Sequence, residues 1–182
     1  MSAPTIASRL RLGDGAPEFE ELPAVDGARY RLASFDDSAV LAVVFICNGC
    51  PTVRVYDERL IALQERHGSR GVHVVAINSN NPYLSPADTY PEMVKKAKNA
   101  GYNFPYLQGE EGGVARKYGA VSTPHAFVFD GDRRLRYRGR IDDSRDPARV
   151  TSFDLDRALA DVLEDRPVEV PETQPFGCAI VR

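Results

Sequence analysis

Val40-Leu41-Ala42-Val43-Val44-Phe45-Ile46-Cys47-Asn48-Gly49-Cys50-Pro51 decides how this chain folds. Its first seven residues are apolar, uncharged and rich in β-branched types, the pattern of a strand buried on both faces in a parallel sheet. After the cysteines the period changes. Val53, Tyr56, Leu60, Leu63 and His67 recur at helical spacing and predict a helix from about 51 to 67. Pro51 falls in its first turn, where a missing N–H costs little. His67 and Gly68 close it. Both thiols therefore sit on a strand-to-helix turn, and the pattern puts Cys47 at or next to the helix N-cap. Helix-terminal amides and the macrodipole favour an anion there, which lowers a thiol's pKa. Cys47 is accordingly expected to be the more exposed thiol and to titrate below Cys50. A C-x-x-C pair in a βαβ setting is a redox signature.

Working outward, Val72 to Ile77 predicts a second core strand, parallel to the first through a right-handed crossover. Asn78 to Pro86 is a polar loop at that strand's C-terminal end, the edge where open α/β sheets build sites. Thr89 to Ala100 reads as a helix, Phe104 to Leu107 as a weak strand and Val114 to Tyr118 as a short helix. Val121 to Phe129 and Leu135 to Arg138, joined by Asp130-Gly131-Asp132-Arg133, read as an antiparallel hairpin. Ser152 to Leu163 predicts the last helix, with Ser152 as N-cap. Before all this, residues 1–27 read as irregular, anchored by Phe19 and Leu22, with a turn at Asp26-Gly27 and a short strand over Ala28 to Leu32. Pro167, Pro171 and Pro175 predict an extended tail. The organisation expected is one α/β domain over 1–165, its sheet covered by helices on both faces, and a C-terminal tail over 166–182.

Composition narrows the function. The 182 residues are 43% hydrophobic and 27% charged, with a net charge of −3 and no basic stripe, which gives nucleic-acid binding no support. Residues 1–7 lack a basic region followed by an apolar one, so no signal peptide is expected. No apolar run approaches the roughly 20 residues needed to span a bilayer. Three cysteines do not make a secreted disulfide framework. A cytoplasmic protein whose C-x-x-C pair cycles between dithiol and disulfide is the expectation.

The order of elements resembles the thioredoxin fold. Cys47-x-x-Cys50 resembles the thioredoxin active site, and Thr123-Pro124 resembles the cis-proline loop that faces it. The lead-in Leu12-Gly13-Asp14-Gly15-Ala16-Pro17-Glu18-Phe19 and the insertion before the hairpin are more similar to the redoxin branch: the alkyl-hydroperoxide-reductase/thiol-specific-antioxidant group and the TlpA-like thioredoxins. The likeness spans roughly residues 10 to 165. It is strongest to bacterial thioredoxin-family proteins with a C-N-x-C-P site and a Gly-Cys tail, here Gly177-Cys178. The resemblance implies a mixed central sheet, an N-terminal extension and an insertion of the redoxin type. It also implies a cis Thr123–Pro124 bond and a Thr123 backbone that pairs with an extended substrate chain. Departures are specific. Ile46 replaces the usual Trp, Asn48-Gly49 the usual Gly-Pro, Pro51 a basic residue, and Leu41 the buried Asp taken to relay a proton.

The roles expected are these. Cys47 attacks a substrate disulfide as thiolate, and Cys50, one helical turn on, resolves the mixed disulfide. The partners are then a disulfide-containing protein or a small thiol, together with an electron donor, and no cofactor is needed. The rival is a peroxiredoxin-type peroxidase with Cys50 as the attacking thiol, because Cys50-Pro51-Thr52 matches that family's helix start. Against it, Val43 and Cys47 occupy the positions where that pattern has Pro and Thr or Ser. Metal binding, using His73 or His125 with the cysteines, ranks lower because tetrahedral zinc wants a second ligand pair. A non-catalytic adaptor ranks with it. Tyr83, Tyr90, Tyr102 and Tyr106 either line a groove or cap a core. Cys178 is either a small buried apolar residue or a third thiol, brought to the site if Phe176 and Ile180 dock the tail.

Overall fold

The computed structural model describes residues 10–109 and 112–182. The first nine residues of the start expected to be irregular over 1–27, and the signal-peptide reading of residues 1–7, lie outside them. A two-residue ladder, β1 (Leu22–Pro23) against β2 (Arg29–Tyr30), opens the described chain. β1 has no strand pattern in the sequence, since a two-residue strand has no period to show. The buried run forms β3 (Val40–Phe45), followed by α1 (Pro51–His67) and β4 (Val72–Asn78). Then come α2 (Tyr90–Ala100), β5 (Tyr106–Gln108) and α3 (Gly113–Tyr118). The apolar stretch after α3 is two strands, β6 (Ser122–Thr123) and β7 (His125–Phe129), broken at Pro124, which has no N–H to give a ladder. β8 (Leu135–Gly139), α4 (Asp154–Leu163) and β9 (Cys178–Ala179) complete the chain.

The central sheet has the order β5-β4-β3-β7-β8. β3 pairs parallel with β4 and antiparallel with β7, so it lies mid-sheet with partners on both edges. Its six residues are all buried. The period-2 alternation divides them between two cores. Val40, Ala42, Val44 and Ile46 face α1, α2 and α4, meeting Val53, Tyr56, Leu60, Met93, Leu155 and Leu159. Leu41, Val43 and Phe45 face α3 and the N-terminal segment, meeting Phe19, Leu22, Tyr118 and Phe127. Leu41 is thus a core residue of the second face. Each of the Val, Leu, Ile and Phe side chains contributes about 1.5–3 kcal/mol on burial, which holds β3 in the middle of the sheet.

The last helix starts one residue later than Ser152 as N-cap predicts. Phe153 is its N-cap, and the Ser152 hydroxyl donates to Asp154 Oδ1 (2.8 Å), whose other oxygen is taken by Arg140 Nε (2.7 Å). The tail follows the surface. Arg138 N donates to Pro171 O, and Thr173 N to Arg138 O, along the β8 edge. Among the described residues no helix is long and apolar enough to cross a membrane.

Candidate active site

α1 begins at Pro51, so its N-cap is Cys50, with Cys47 three residues outside the helix. This corrects the expected placement: the charge-stabilising position belongs to the second thiol. The shift arises because Cys47-Asn48-Gly49 are spent turning out of β3, and helical dihedrals start only at Pro51, whose ring presets φ. Both cysteines are buried, at 3% and 1% exposure, so exposure does not set them apart.

The peptide bond Thr123–Pro124 is cis and brings Thr123 against the pair. Cys47 Sγ lies 3.3 Å from Thr123 Oγ1, and the Cys50 S–H donates to Thr123 O at 3.4 Å. The tail arrives at the same place. β9 pairs antiparallel with β6, putting Cys178 opposite Thr123 and Ala179 opposite Ser122. The three sulfurs are free thiols, two buried and Cys178 half-buried. Cys50 is the central one: Thr123, whose carbonyl it meets, also touches Cys47 through its hydroxyl and stands opposite Cys178 in the β6–β9 pair.

The electrostatics follow from that order. The Cys47 thiol is the largest influence lowering the Cys50 pKa, and it outweighs burial, which raises it. Cys178, the Thr123 hydroxyl and the Val53 amide of the first helical turn add to the lowering. The amide faces the sulfur too loosely for a hydrogen-bonded cap, yet it favours the anion. The carbonyl of Thr123 accepts only from the neutral form, so one acceptor opposes several donors. Cys47 moves the other way, raised first by its partnership with Cys50, then by burial and by the charge of Asp88. Cys178 is raised by desolvation and by Cys50, against the Thr52 amide and the Arg145 charge. The direction is therefore opposite to the sequence expectation: Cys50 is the thiol favoured as the anion.

A pH consequence follows. The Cys50 pKa in the folded reduced protein lies below the unfolded value of about 8.5. Its contribution to stability is fully present above that unfolded value and is lost as pH falls through the folded one. The reduced protein is expected to show one thiolate by ultraviolet absorbance at pH 7, where an ordinary cysteine is only a few per cent ionised. Cys50→Ser should remove that absorbance. Its retention in Cys50→Ser with loss in Cys47→Ser would reverse the assignment.

A buried polar network holds the turn. Asp88, 1% exposed, accepts Asn48 N (2.7 Å) and Asn78 Nδ2 (2.9 Å) on Oδ1. Its Oδ2 accepts Asn80 Nδ2 (2.9 Å) and Ser85 Oγ (2.5 Å). Asn48 is gripped twice more, its Nδ2 donating to Ala87 O (2.8 Å) and its Oδ1 accepting from Tyr106 Oη (2.8 Å). Asp88 and its partners carry no sequence motif. The only signal is the polar loop starting at Asn78, on the sheet edge where sites form.

The other candidates are placed as follows. Tyr106 belongs to this network and Tyr102 is half-buried, donating to Asp57 Oδ1. Tyr90 donates to Ala24 O, while Tyr83 is exposed. These tyrosines do not form a common groove wall. His73 Nδ1 pairs with Ser38 Oγ, His125 Nδ1 accepts from Val121 N, and His67 Nε2 meets Asp156 at the end of α1. Among the described residues no three His, Cys, Asp or Glu side chains gather as metal ligands. Phe176 stacks edge-on to Tyr56 at 6.3 Å and Ile180 packs on the second core, so both residues dock the tail.

A parallel-plus-hairpin sheet, a thiol pair at a strand–helix turn and a cis-proline loop facing it define a thioredoxin-like protein. Within that class the redoxin family model matches residues 11–158, and the chain belongs to the redoxin family. Two solved structures resemble nearly the whole chain. An uncharacterized conserved protein from Geobacillus kaustophilus is 40% identical, with a TM-score of 0.87, over 96% of this chain and 94% of that one. A hypothetical protein from Sinorhizobium meliloti 1021 is 38% identical, with a TM-score of 0.88, over 95% of each. Peroxidoxin BcpB from Mycobacterium tuberculosis, at 21% identity and a TM-score of 0.65 over 86% of this chain and 98% of that one, shares the fold. No curated protein matches the chain.

Proposed function

We propose that the protein is a thiol-disulfide oxidoreductase whose redox couple is Cys47 and Cys50, working on a disulfide-bearing protein or a small thiol. Membership of the redoxin family supports thiol redox chemistry in general. The observation that carries the specific reading is Cys50 at the α1 N-cap, stabilised as an anion chiefly by Cys47. In the reducing direction, the Cys50 thiolate attacks one sulfur of a disulfide and expels the other as thiolate. Cys47, deprotonated as it reacts, then attacks Cys50 Sγ. The Cys47–Cys50 bond forms, the second substrate thiolate leaves, and two electrons have passed to the substrate. No cofactor enters. The test is to mix pre-reduced protein with insulin. Insulin reduction with a stoichiometric Cys47–Cys50 disulfide is expected; free thiols in unchanged protein would defeat the reading.

A peroxidase is the second reading, favoured by one observation: Pro51 and Thr52 open the helix directly after an N-cap thiol. There the Cys50 thiolate attacks a hydroperoxide, releases an alcohol and becomes a sulfenic acid, which Cys47 condenses to the same disulfide with loss of water. A hydroperoxide consumed faster than insulin is reduced would select this reading.

A further inference from the structure

The Thr123 backbone edge, where an extended chain can add to the site, is occupied by this protein's own C-terminal strand. The occupant is built to fit. Gly177 has φ +147°, and a Cβ on it would stand 1.9 Å from Thr123 O. Only glycine lets the tail come so close. Beyond it, Asn81 N donates to Val181 O (2.8 Å), Val181 N to Asn80 Oδ1 (2.9 Å) and Arg182 to Ala120 O (3.0 Å). Asn80 is the same residue that binds Asp88, so tail and cysteine turn share one support. The strand delivers a cysteine, half-buried, to the central sulfur of a couple that is itself almost wholly enclosed.

We infer that Cys178 is the third redox thiol of this site, carrying disulfide exchange between the enclosed Cys47–Cys50 couple and a low-molecular-weight thiol outside. This rests on the couple proposed above. In the oxidised protein Cys178, as thiolate, attacks Cys50 Sγ. The Cys50–Cys178 bond forms, the Cys47–Cys50 bond breaks, and Cys47 leaves as thiolate and takes up the proton that Cys178 released. No electrons are gained or lost in this step. An external thiol then attacks the half-buried Cys178 sulfur and frees Cys50, and a second equivalent releases Cys178 with a small-molecule disulfide as product. Oxidation of the couple also removes the thiol on Cys50 that raises Cys178, leaving the Thr52 amide and Arg145 to favour the Cys178 anion against burial. Geometry names Cys50 as the target: Cys178 lies opposite Thr123 in the β6–β9 pair, and Cys50 Sγ meets the backbone carbonyl of that same Thr123 at 3.4 Å, whereas Cys47 meets its side chain.

The test is to oxidise wild type and Cys47→Ser with diamide and map disulfides by peptide mass spectrometry. Wild type is expected to yield Cys47–Cys50, and Cys47→Ser an intramolecular Cys50–Cys178 bridge. Gly177→Ala in the Cys47→Ser background keeps every remaining thiol but pushes the tail off Thr123. It should lower bridge formation at least ~10-fold by lowering the effective concentration of Cys178. Oxidised Cys178→Ser should likewise be reduced by glutathione ~10-fold more slowly than wild type. If wild type forms Cys47–Cys50 but Cys47→Ser gives free thiols or only intermolecular dimers, the relay is wrong and the couple stands. If Cys178→Ser is reduced at the wild-type rate, the relay is equally wrong, whether or not the bridge can be trapped. Absence of Cys47–Cys50 from oxidised wild type would overturn both.

Discussion

Cys50→Ser is expected to lower disulfide exchange by roughly 10³-fold or more, as loss of a nucleophile acting in a coupled group does. Cys50 is the one sulfur with both others as neighbours, and the one the helix start favours as an anion. A serine hydroxyl there stays protonated and cannot bridge in either direction. The outer thiols differ. Cys47→Ser should still attack a test disulfide once and then stall as a mixed disulfide or as Cys50–Cys178. Single-turnover kinetics against an aromatic disulfide separate the cases. Equal first-step rates in Cys50→Ser and wild type would show that the attacking thiol lies elsewhere.

Asp88→Ala should lower the unfolding free energy by about 3–5 kcal/mol, since several buried donors to a charged group lose their acceptor at once. Four donors are affected: the Asn48 amide, the side chains of Asn78 and Asn80, and the Ser85 hydroxyl. Asp88→Asn should restore only part of them, because its one remaining oxygen can still accept while its NH2 faces groups that also donate. Urea denaturation of the reduced protein reads the loss. The variant carries a second signature in the thiols. The Asp88 charge raises the Cys47 pKa, so its removal should lower it. An unchanged urea midpoint would mean that the loop 78–88 does not hold the cysteine turn.

The legible parts of this chain were those with a period. β3 betrays itself by seven apolar residues, α1 by its 3.6-residue spacing, and the hairpin by Asp130-Gly131 between an apolar run and an alternating one. Cis Thr123–Pro124 and the docking of Phe176 and Ile180 followed from resemblance and from apolar residues in an otherwise polar tail. What failed was a matter of one turn. The pattern puts Cys47 at or next to the N-cap that Cys50 in fact holds, because boundaries of that size depend on dihedrals that pattern does not encode, and the order of the thiol pKa values turns chiefly on the Cys47–Cys50 contact, which pattern does not show either. Asp88 was illegible for another reason. Its four partners come from three separate places in the chain, and one carboxylate among 26 acidic residues has no distinguishing neighbour. Likewise the pairing of Thr123 with Cys178 spans 55 positions, and no local rule records it.

The glycine-fitted tail also changes what counts as a competitor for the site. A thiol on the same chain meets Cys50 at an effective concentration of order millimolar for even a loose tether, and at more than that when the tether is docked. A free partner at micromolar levels is thus outnumbered about a thousandfold at the sulfur it needs. Dilution weakens every bimolecular rival and leaves the tethered one untouched. Small thiols present at millimolar levels meet that requirement directly. A protein partner meets it by first binding the surface and lifting the strand, so its affinity for the ousted edge, more than its redox potential, sets whether it reacts.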